Sequence, residues 1–478
     1  MADHIESTHI AVIGAGPGGY AAAFLAADFG LGVTIIDPAE NPGGVCLYRG
    51  CIPSKTLLHA AKLINEAELG ADWGIKFAKP EVDIEKLRNW KNEVVAKLTS
   101  GLGKLTEQRK IKRIQGRARF LDASTLGIDK VDGGTKKLYF GHAILATGSS
   151  PTQLPHLDMT HDRIMDSSDA LALPDVPETL LVIGAGYIGM ELGTAYTAFG
   201  SKVTVVEKLP DMLPGTDRDL ARVLEKRARK TFKEILLDTE VSQAKPGKKN
   251  VEVTLKDKDG NTRKRTFDKV LVAIGRQPNN QDLGLENTRI ELDENGFVKI
   301  NEQRQTAEPK IYAIGDVAGP PLLAHKASHE GRVAVEAITG QPTAFDPQAI
   351  PAVVYTDPEL AYCGLTEREA KANGQAIKIA KFPWGASGRA LTMGRDDGLT
   401  KMIIDPDTDR LLGAGIVGAG AGELISENVL AIEMAALASD LQLSIHPHPT
   451  LSETVMESAG AYFGQSTHIY RPKKETRG

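Results

Sequence analysis

The sequence has little cysteine, few aromatic residues and no basic excess. Only three of its 478 residues are cysteine, 5% are aromatic, and the formal net charge is -5. Three cysteines are too few for the disulfide framework of a small secreted protein. Without a basic excess we expect no nucleic-acid partner. A long uncharged stretch, residues 10–27, is broken by four glycines and a proline, so we expect neither a signal peptide nor a membrane span, and a cytoplasmic protein.

Glycine is abundant instead, with 48 residues, and some of it belongs to an internal repeat. At an offset of 170 residues, the stretch 10–37 matches 180–207 at 10 of 28 positions without a gap. Each copy reads as a buried strand that ends in glycine, a helix of small residues, and a second strand that closes on an acid. The residues that carry the pattern are Gly14, Gly16, Gly19 and Asp37 in the first copy and Gly184, Gly186, Gly189 and Glu207 in the second.

The repeat has the features of a dinucleotide-binding unit. The first glycine makes the turn, the second lets the backbone approach a pyrophosphate, and the third lets the helix pack on the strand. The helix N-terminus offers unpaired N–H groups to the phosphates, and the acid accepts hydrogen bonds from a ribose. Two unrelated glycine turns would not explain the matching acids. The sequence therefore predicts an α/β protein that moves electrons between two dinucleotides, and Glu207 favours NAD(H) over NADP(H) at the second site.

Two of the cysteines, Cys46 and Cys51, are separated by four residues and can close a small disulfide loop. Cys51 lies near a predicted helix N-terminus, and Lys55 follows one turn later, so both features should lower the pKa of that thiol. The alternative is a pair of unrelated buried thiols. Zinc would need two more Cys or His ligands nearby, and we expect no metal site. Cys363, which stands alone among apolar residues, is predicted to be core.

These motifs resemble those of the pyridine nucleotide–disulfide oxidoreductases, and within that family the dihydrolipoamide dehydrogenases. The resemblance runs from about residue 8 to residue 470 and is most specific at 43–55, Gly-Gly-Val-Cys-Leu-Tyr-Arg-Gly-Cys-Ile-Pro-Ser-Lys. The family usually has Asn-Val where this chain has Tyr48 and Arg49. The resemblance implies two Rossmann-like domains, a central domain and a C-terminal α+β dimerisation domain. The corresponding ranges are 1–150 (FAD), 151–279 (NAD), 280–347 (central) and 348–478 (interface).

The resemblance also implies which residues hold the two cofactors. Asp316 would offer its carboxylate to the ribityl chain of FAD, and Lys55 would lie by the flavin ring, paired with Glu191. For FAD the implied set is Gly14, Gly16, Gly19, Asp37, Lys55, Ala118, Thr147, Gly148, Asp316, Leu322, Leu323, Ala324 and His325. For NAD it is Gly184, Gly186, Gly189, Glu191, Glu207 and Gly275.

A His-Pro-His-Pro-Thr-Leu-Ser-Glu segment at 446–453 resembles the base motif of the family. By that resemblance His448 is the catalytic base, Glu453 orients its ring, and the partner subunit of a homodimer supplies the histidine. A carboxylate on one imidazole nitrogen leaves the other free to take a thiol proton. Thr450 and Glu453 also have the spacing of a capping box, so Glu453 caps a helix, orients the ring or does both. His446 is expected to be structural or exposed.

The implied activity is oxidation of protein-bound dihydrolipoamide to lipoamide, with catalytic residues Cys46, Cys51, His448 and Glu453 and with reduction of NAD+. The implied partner is a lipoyl-bearing protein of a 2-oxo acid dehydrogenase complex or of a glycine cleavage system. One alternative is an NADPH-dependent glutathione or mercuric reductase, which Glu207 and the lack of a C-terminal cysteine pair disfavour. Another is a non-catalytic flavoprotein subunit, which the complete catalytic set disfavours. We further predict an inserted helix at 84–108 and a disordered tail at 471–478.

Overall fold

The computed structural model of the protein describes residues 6–470, so the disorder predicted for 471–478 lies outside the described residues. The first repeat forms the predicted strand–helix–strand unit, β1-α1-β2, and the predicted inserted helix is present with the expected bounds. The elements are β1 (Glu6–Ile13), α1 (Pro17–Asp28), β2 (Val33–Asp37), α2 (Gly44–Arg49), α3 (Cys51–Leu69), a 3₁₀ turn (Gly70–Trp73), α4 (Ile84–Gln108), β3 (Lys112–Asp122), β4 (Thr125–Lys130), β5 (Thr135–Leu145) and β6 (Ser149–Pro151).

The second repeat forms the same strand–helix–strand unit, followed by a run of short strands. The elements are β7 (Ile164–Met165), α5 (Ser167–Ala172), β8 (Thr179–Ile183), α6 (Tyr187–Ala198), β9 (Lys202–Val206), α7 (Arg218–Thr231), β10 (Glu234–Leu236), β11 (Thr239–Pro246), β12 (Val251–Asp257), β13 (Thr262–Phe267), β14 (Lys269–Val272) and β15 (Arg276–Pro278).

The remaining chain is richer in helices and ends in a second kind of sheet. The elements are a 3₁₀ turn (Leu285–Asn287), β16 (Ile311–Ala313), a 3₁₀ turn (Gly315–Ala318), α8 (Ala324–Ile338), β17 (Ala352–Val354), β18 (Glu359–Gly364), α9 (Glu367–Ala372), β19 (Lys378–Pro383), a 3₁₀ turn (Trp384–Ala386), α10 (Gly388–Thr392), β20 (Leu399–Ile404), β21 (Leu411–Gly418), α11 (Ala421–Glu433), α12 (Ala438–Leu443) and α13 (Glu453–Tyr462).

The first sheet is built around β1, whose buried apolar run lies between β2 and β5 and is parallel to both. Strand β3 pairs with β2 in parallel, β4 pairs antiparallel with both β3 and β5, and β16 joins β5 in parallel. Because β16 comes from the segment 280–347, that segment shares a sheet and a core with the first 150 residues. The first glycine turn therefore lies at the carboxyl end of a central parallel strand, where doubly wound sheets bind ligands.

The second sheet has five parallel strands in the order β10-β9-β8-β14-β7, with β8 in the middle. A three-stranded antiparallel sheet, β11-β12-β13, shares a hydrophobic core with it. The chain passes between the two nucleotide-binding units twice, along β6 and β15, and these strands pair with each other as a two-stranded ribbon. Like the first glycine turn, the second one lies at the carboxyl end of a central parallel strand.

The C-terminal sheet is antiparallel, in the order β17-β18-β21-β20-β19. Its core includes the fully buried Trp384 and also Cys363, which is buried as predicted. Two parallel-sheet units followed by an antiparallel sheet with packed helices confirm the predicted fold class. No helix in the part of the chain that the structure describes combines the length and apolar composition needed to cross a lipid bilayer.

A buried ion cluster joins the second unit to the C-terminal sheet. Lys401 on β20 is 1% exposed, and its ammonium lies 2.7 Å from a carboxylate oxygen of Asp217 and 3.1 Å from one of Asp219. It also pairs with Glu367, the first residue of α9. The oxygens of these three acids lie close enough together to ligate a metal ion, but the lysine ammonium already contacts all three.

Candidate active site

The two cysteines lie on two consecutive helices, α2 and α3. Glycines 43 and 44, both with positive φ, start α2, which carries Cys46, and Cys51 is the first residue of α3. Both are free thiols, and the Cys46 thiol donates a hydrogen bond to the sulfur of Cys51. This hydrogen bond, followed by the charge of Lys55, lowers the pKa of Cys51 to about 7. The same hydrogen bond raises the pKa of Cys46, so the shared proton stays on Cys46.

Lys55 is held beside the cysteines by an ion pair. Its ammonium lies 2.8 Å from Oε2 of Glu191 on α6, and the Glu191 side chain is 4% exposed. The other carboxylate oxygen accepts the backbone N–H of Tyr355 at 3.0 Å, and the Lys55 ammonium lies 4.5 Å from the centre of the Tyr355 ring. Three parts of the chain that are distant in sequence therefore fix one cation close to Cys51.

His448 and Glu453 form the expected pair. His448 Nδ1 lies 2.9 Å from Oε1 of Glu453, and Oε2 accepts the backbone N–H of Thr450 at 2.9 Å. Burial opposes ionisation of Glu453, but the Thr450 amide and then His448 outweigh it, so its pKa is lowered. Glu453 thus contacts the His448 ring and also accepts the Thr450 N–H, which correspond to the two roles that the sequence left open. The helix α13 begins at Glu453 itself, so the predicted capping box is only half formed.

The His448 side chain is 73% exposed, and its hydrogen bond within residues 6–470 goes to Glu453 and not to a cysteine. His446 differs from it in exposure. Its Nε2 lies 2.8 Å from Glu427, its Nδ1 lies 2.9 Å from the Ser444 carbonyl, and its side chain is nearly buried. These contacts make His446 structural, which was one of the two expectations.

The first glycine turn has the close packing that the motif requires. A Cβ at Gly19 would lie 2.0 Å from the carbonyl oxygen of Gly14, whose φ is +99°. Asp37 Oδ2 accepts the backbone N–H of Ala15 at 2.8 Å. Gly16 caps α1 with no side-chain hydrogen bond, so the helix N-terminus remains available to an anion.

The second turn repeats this geometry. A Cβ at Gly189 would lie 2.1 Å from the Gly184 carbonyl oxygen, and Glu207 Oε2 accepts the Ala185 N–H at 2.7 Å. Gly186 caps α6 without a side-chain hydrogen bond, and a Cβ there would meet no protein atom within 4 Å. An uncapped helix N-terminus fits a pyrophosphate at both sites, and at Gly186 the space in front of it is open.

A buried carboxylate, Glu330 of α8, binds the turn that carries Asp316. Glu330 is 0% exposed, and its Oε2 accepts the N–H of Gly315 at 2.7 Å. Its Oε1 lies 3.1 Å from both Arg304 Nη1 and Lys326 Nζ. Lys326 also donates to the carbonyl of Gly319 at 2.7 Å, so the turn is held at both ends.

Comparisons with known proteins agree with this architecture. A family model for pyridine nucleotide-disulphide oxidoreductases matches residues 8–331, and a model for the dimerisation domain of the same family matches 350–459. The chain belongs to the pyridine nucleotide–disulphide oxidoreductase family. It is therefore an oxidoreductase with a C-terminal dimerisation domain.

Individual members of the family match nearly end to end. A protein of Haemophilus influenzae called dihydrolipoyl dehydrogenase is 45% identical over 470 residues, covering 98% of each chain. One from Geobacillus stearothermophilus with the same name is 43% identical, covering 98% of this chain and 99% of its own. The solved structure of LpdA from Mycobacterium tuberculosis superposes with a TM-score of 0.87 at 27% identity, covering 95% of this chain and 99% of that one. The flavoprotein disulfide reductase RclA from Escherichia coli superposes with a TM-score of 0.85 at 28% identity, covering 95% and 99%.

In this member of the family, the other predicted cofactor residues lie around the two sheets. Thr147 and Gly148 follow β5, and Thr147 Oγ1 donates to the Asn279 carbonyl at 2.7 Å. Ala118 is buried in β3, the neighbour of the strand that ends at Asp37. Gly275, with φ +119°, precedes β15. The stretch Leu322, Leu323, Ala324 and His325 leads into the first turn of α8.

Sequence reasoning missed Glu330, Arg276, Ser149 and Tyr355. Their roles depend on contacts with residues distant in sequence, such as Gly315 for Glu330 and Asp316 for Ser149. The two residues that depart from the usual family pattern are now placed: the Tyr48 hydroxyl donates to the Asn41 carbonyl at 3.0 Å, which holds it against the chain. Arg49 is exposed and has no ion-pair partner within residues 6–470.

Proposed function

We propose that the protein oxidises a dihydrolipoyl group to its cyclic disulfide and passes the electrons through FAD to NAD+. The observation that carries this proposal is the cysteine pair at the N-terminus of α3, with the Lys55–Glu191 ion pair beside it. Relatives named dihydrolipoyl dehydrogenase, 43–45% identical over almost the whole chain, support the choice of substrate.

The first glycine turn, Asp37 and Asp316 would hold FAD, and the second turn with Glu207 would hold NAD+. When bound, the two cofactors supply the hydride transfer that ends in NADH. NAD+ is favoured over NADP+ because a 2′-phosphate would meet the Glu207 carboxylate. The neighbouring Lys208 is paired with Glu240 at 3.3 Å and does not offset that charge. We propose the same four-part division of the chain, at 150, 279 and 347.

The thiol steps follow from the properties of the two cysteines. With the pair oxidised, His448 takes a proton from one substrate thiol, and the resulting thiolate attacks the sulfur of Cys46. The Cys46–Cys51 bond breaks and Cys51 leaves as a thiolate, which its lowered pKa favours. The second substrate thiol then displaces Cys46, which takes up a proton as the substrate disulfide forms.

The histidine that serves each cysteine pair would come from the other subunit of a homodimer. Two observations support this. His448 is exposed and makes no hydrogen bond to a cysteine within the described chain, and it lies inside the range matched by the dimerisation model. The dihydrolipoyl group would arrive on a separate lipoyl-bearing protein, of a 2-oxo acid dehydrogenase complex or a glycine cleavage system.

Anaerobic stopped-flow absorbance with dihydrolipoamide, followed by NAD+ or NADP+, tests the proposal. We expect flavin reduction by dihydrolipoamide and fast NADH formation, with NADP+ a poor acceptor. Cys46→Ser and Cys51→Ser should each abolish turnover while flavin remains bound. Flavin that stays oxidised with dihydrolipoamide but is reduced by NADPH would instead assign a sister activity.

A further inference from the structure

The ribbon that joins the two nucleotide-binding units is tied together by side chains. In β6 and β15, Ser149 is registered with Pro278 and Pro151 with Arg276. On one flank, Asn279 Nδ2 donates to the Thr147 carbonyl at 2.9 Å, and Ser150 Oγ donates to Asn279 Oδ1 at 2.7 Å. The side-chain hydrogen bonds on this flank therefore stay within the ribbon and the residues next to it.

On the other flank, side-chain hydrogen bonds connect the ribbon to Asp316. Arg276 Nε donates to Ser149 Oγ at 2.7 Å, and Arg276 Nη2 donates to the Ser149 carbonyl. The Ser149 hydroxyl in turn donates to Asp316 Oδ2. The order of donors is fixed, because a guanidinium cannot accept a hydrogen bond and a carboxylate cannot donate one. Arg276, Ser149 and Asp316, which come from three segments, thus form one chain of hydrogen bonds that runs from the guanidinium to the carboxylate.

We propose that Ser149 and Arg276 are positioning residues that hold the Asp316 carboxylate in the orientation that receives the ribityl chain of FAD. This inference rests on the proposed function, which places FAD at Asp316. Ser149 occupies one carboxylate oxygen, so the other is left to accept from the ligand. Arg276 directs the single Ser149 proton toward Asp316 by donating to the serine oxygen itself.

The arrangement makes flavin binding depend on the ribbon. Arg276 directly follows Gly275 at the end of the second unit, whereas Asp316 belongs to the turn after β16 of the first sheet. Ser149 is 2% exposed, so its hydroxyl makes both hydrogen bonds away from bulk solvent. Without it, the Asp316 oxygen and the Arg276 Nε both lose their partner.

The alternative is that these bonds only stabilise the ribbon. Ser150 provides a matched control, because it is the next residue of the same strand and also donates one side-chain hydrogen bond across the ribbon. Its bond goes to Asn279 and not to Asp316. Ser150→Ala therefore removes a side-chain hydrogen bond of the ribbon and leaves the contacts of the Asp316 carboxylate in place.

The test is FAD binding by apoprotein, titrated by quenching of flavin fluorescence without substrate or NAD+. We expect Ser149→Ala and Arg276→Met each to raise the Kd for FAD about tenfold or more, as loss of a buried hydrogen bond to a charged group predicts. The double variant should lose clearly less affinity than the sum of the two single losses, because Arg276 Nε acts through the Ser149 hydroxyl. Ser150→Ala should stay within about threefold of the unmodified protein. The visible circular dichroism of bound FAD should change in the first two variants only.

Two results would overturn the inference: equal Kd values for Ser149→Ala and Ser150→Ala, or additive losses in the double variant. Thermal unfolding of the apoproteins separates misfolding from weak binding, and Arg276→Met, at a half-buried site, keeps the test open if Ser149→Ala fails to fold. If the unmodified apoprotein did not bind FAD at all, the proposed function would fail first.

Discussion

Replacing Cys46 by alanine should raise the pKa of Cys51 by about one to two units. The hydrogen bond from Cys46 is the largest cause of the low Cys51 pKa, ahead of the charge of Lys55. A hydrogen bond to a charged group contributes about 1.5–3 kcal/mol, and about 1.4 kcal/mol corresponds to one pKa unit. With the pKa near 7 in the unmodified protein, most of the thiolate present at neutral pH should be lost in Cys46→Ala.

The assay is the pH dependence of alkylation by iodoacetamide, which reacts with thiolate. Cys46→Ser is the matched control, because serine keeps a donor at the same place and both variants leave Cys51 as the one accessible thiol of the described chain. Cys363 does not interfere, since it is buried and burial raises its pKa to about 12. At pH 7 alkylation should be on the order of tenfold slower in Cys46→Ala than in Cys46→Ser. Identical pH profiles would refute the hydrogen-bond explanation.

Three further predictions concern the base, the flavin turn and the ion cluster. His448→Gln should lower kcat for dihydrolipoamide on the order of 10²-fold with flavin content unchanged, and near-normal turnover would remove His448 from the mechanism. Glu330→Gln should lower the free energy of unfolding in urea by about 3–5 kcal/mol, because it leaves buried cations unpaired. The control is Glu336→Gln, whose partner Arg332 is exposed, and it should lower that free energy by under about 1 kcal/mol. Equal losses in the two variants would contradict the role assigned to Glu330. Lys401→Met leaves three carboxylates together, so their pKa values rise and stability is regained as protons bind. Its deficit against the unmodified protein should be largest at pH 7 and shrink toward pH 4, and a deficit independent of pH would exclude this cause.

The features that the sequence predicted correctly are those with local patterns. The strand–glycine–helix–strand repeat was predicted because its periodicity and its closing acids lie within 28 residues of each other. The position of Cys51 at a helix start followed from Pro53 and the apolar spacing after it. The contact between Lys55 and Glu191 came through the family resemblance, since 136 residues separate the two.

The features that the sequence did not predict depend on tertiary neighbours. The sequence did not predict the helix α2. Its first residue, Gly44, packs against the first glycine turn, because a Cβ at Gly44 would lie 2.4 Å from the Gly16 Cα. Glu330 carries no motif, and its role becomes visible only when Gly315 and Lys326 are brought to it. The helix α13 starts later than the capping-box spacing suggests, and the Thr450 hydroxyl donates to the Pro447 carbonyl and does not cap the helix.

The pairing of β6 with β15 has a consequence for modularity. The chain enters the second unit after Pro151 and returns at Arg276, and these two residues are direct neighbours across the ribbon. Topologically, residues 152–275 are an insertion whose two ends meet. The backbone path would therefore allow another domain with adjacent termini to replace this segment without rerouting the surrounding chain. Such an exchange would also remove Glu191, the partner of Lys55, and two of the acids that pair with the buried Lys401. The continuity of the chain thus separates residues 152–275 from the part that carries the cysteines and Asp316, but the side-chain contacts of Glu191 join the two.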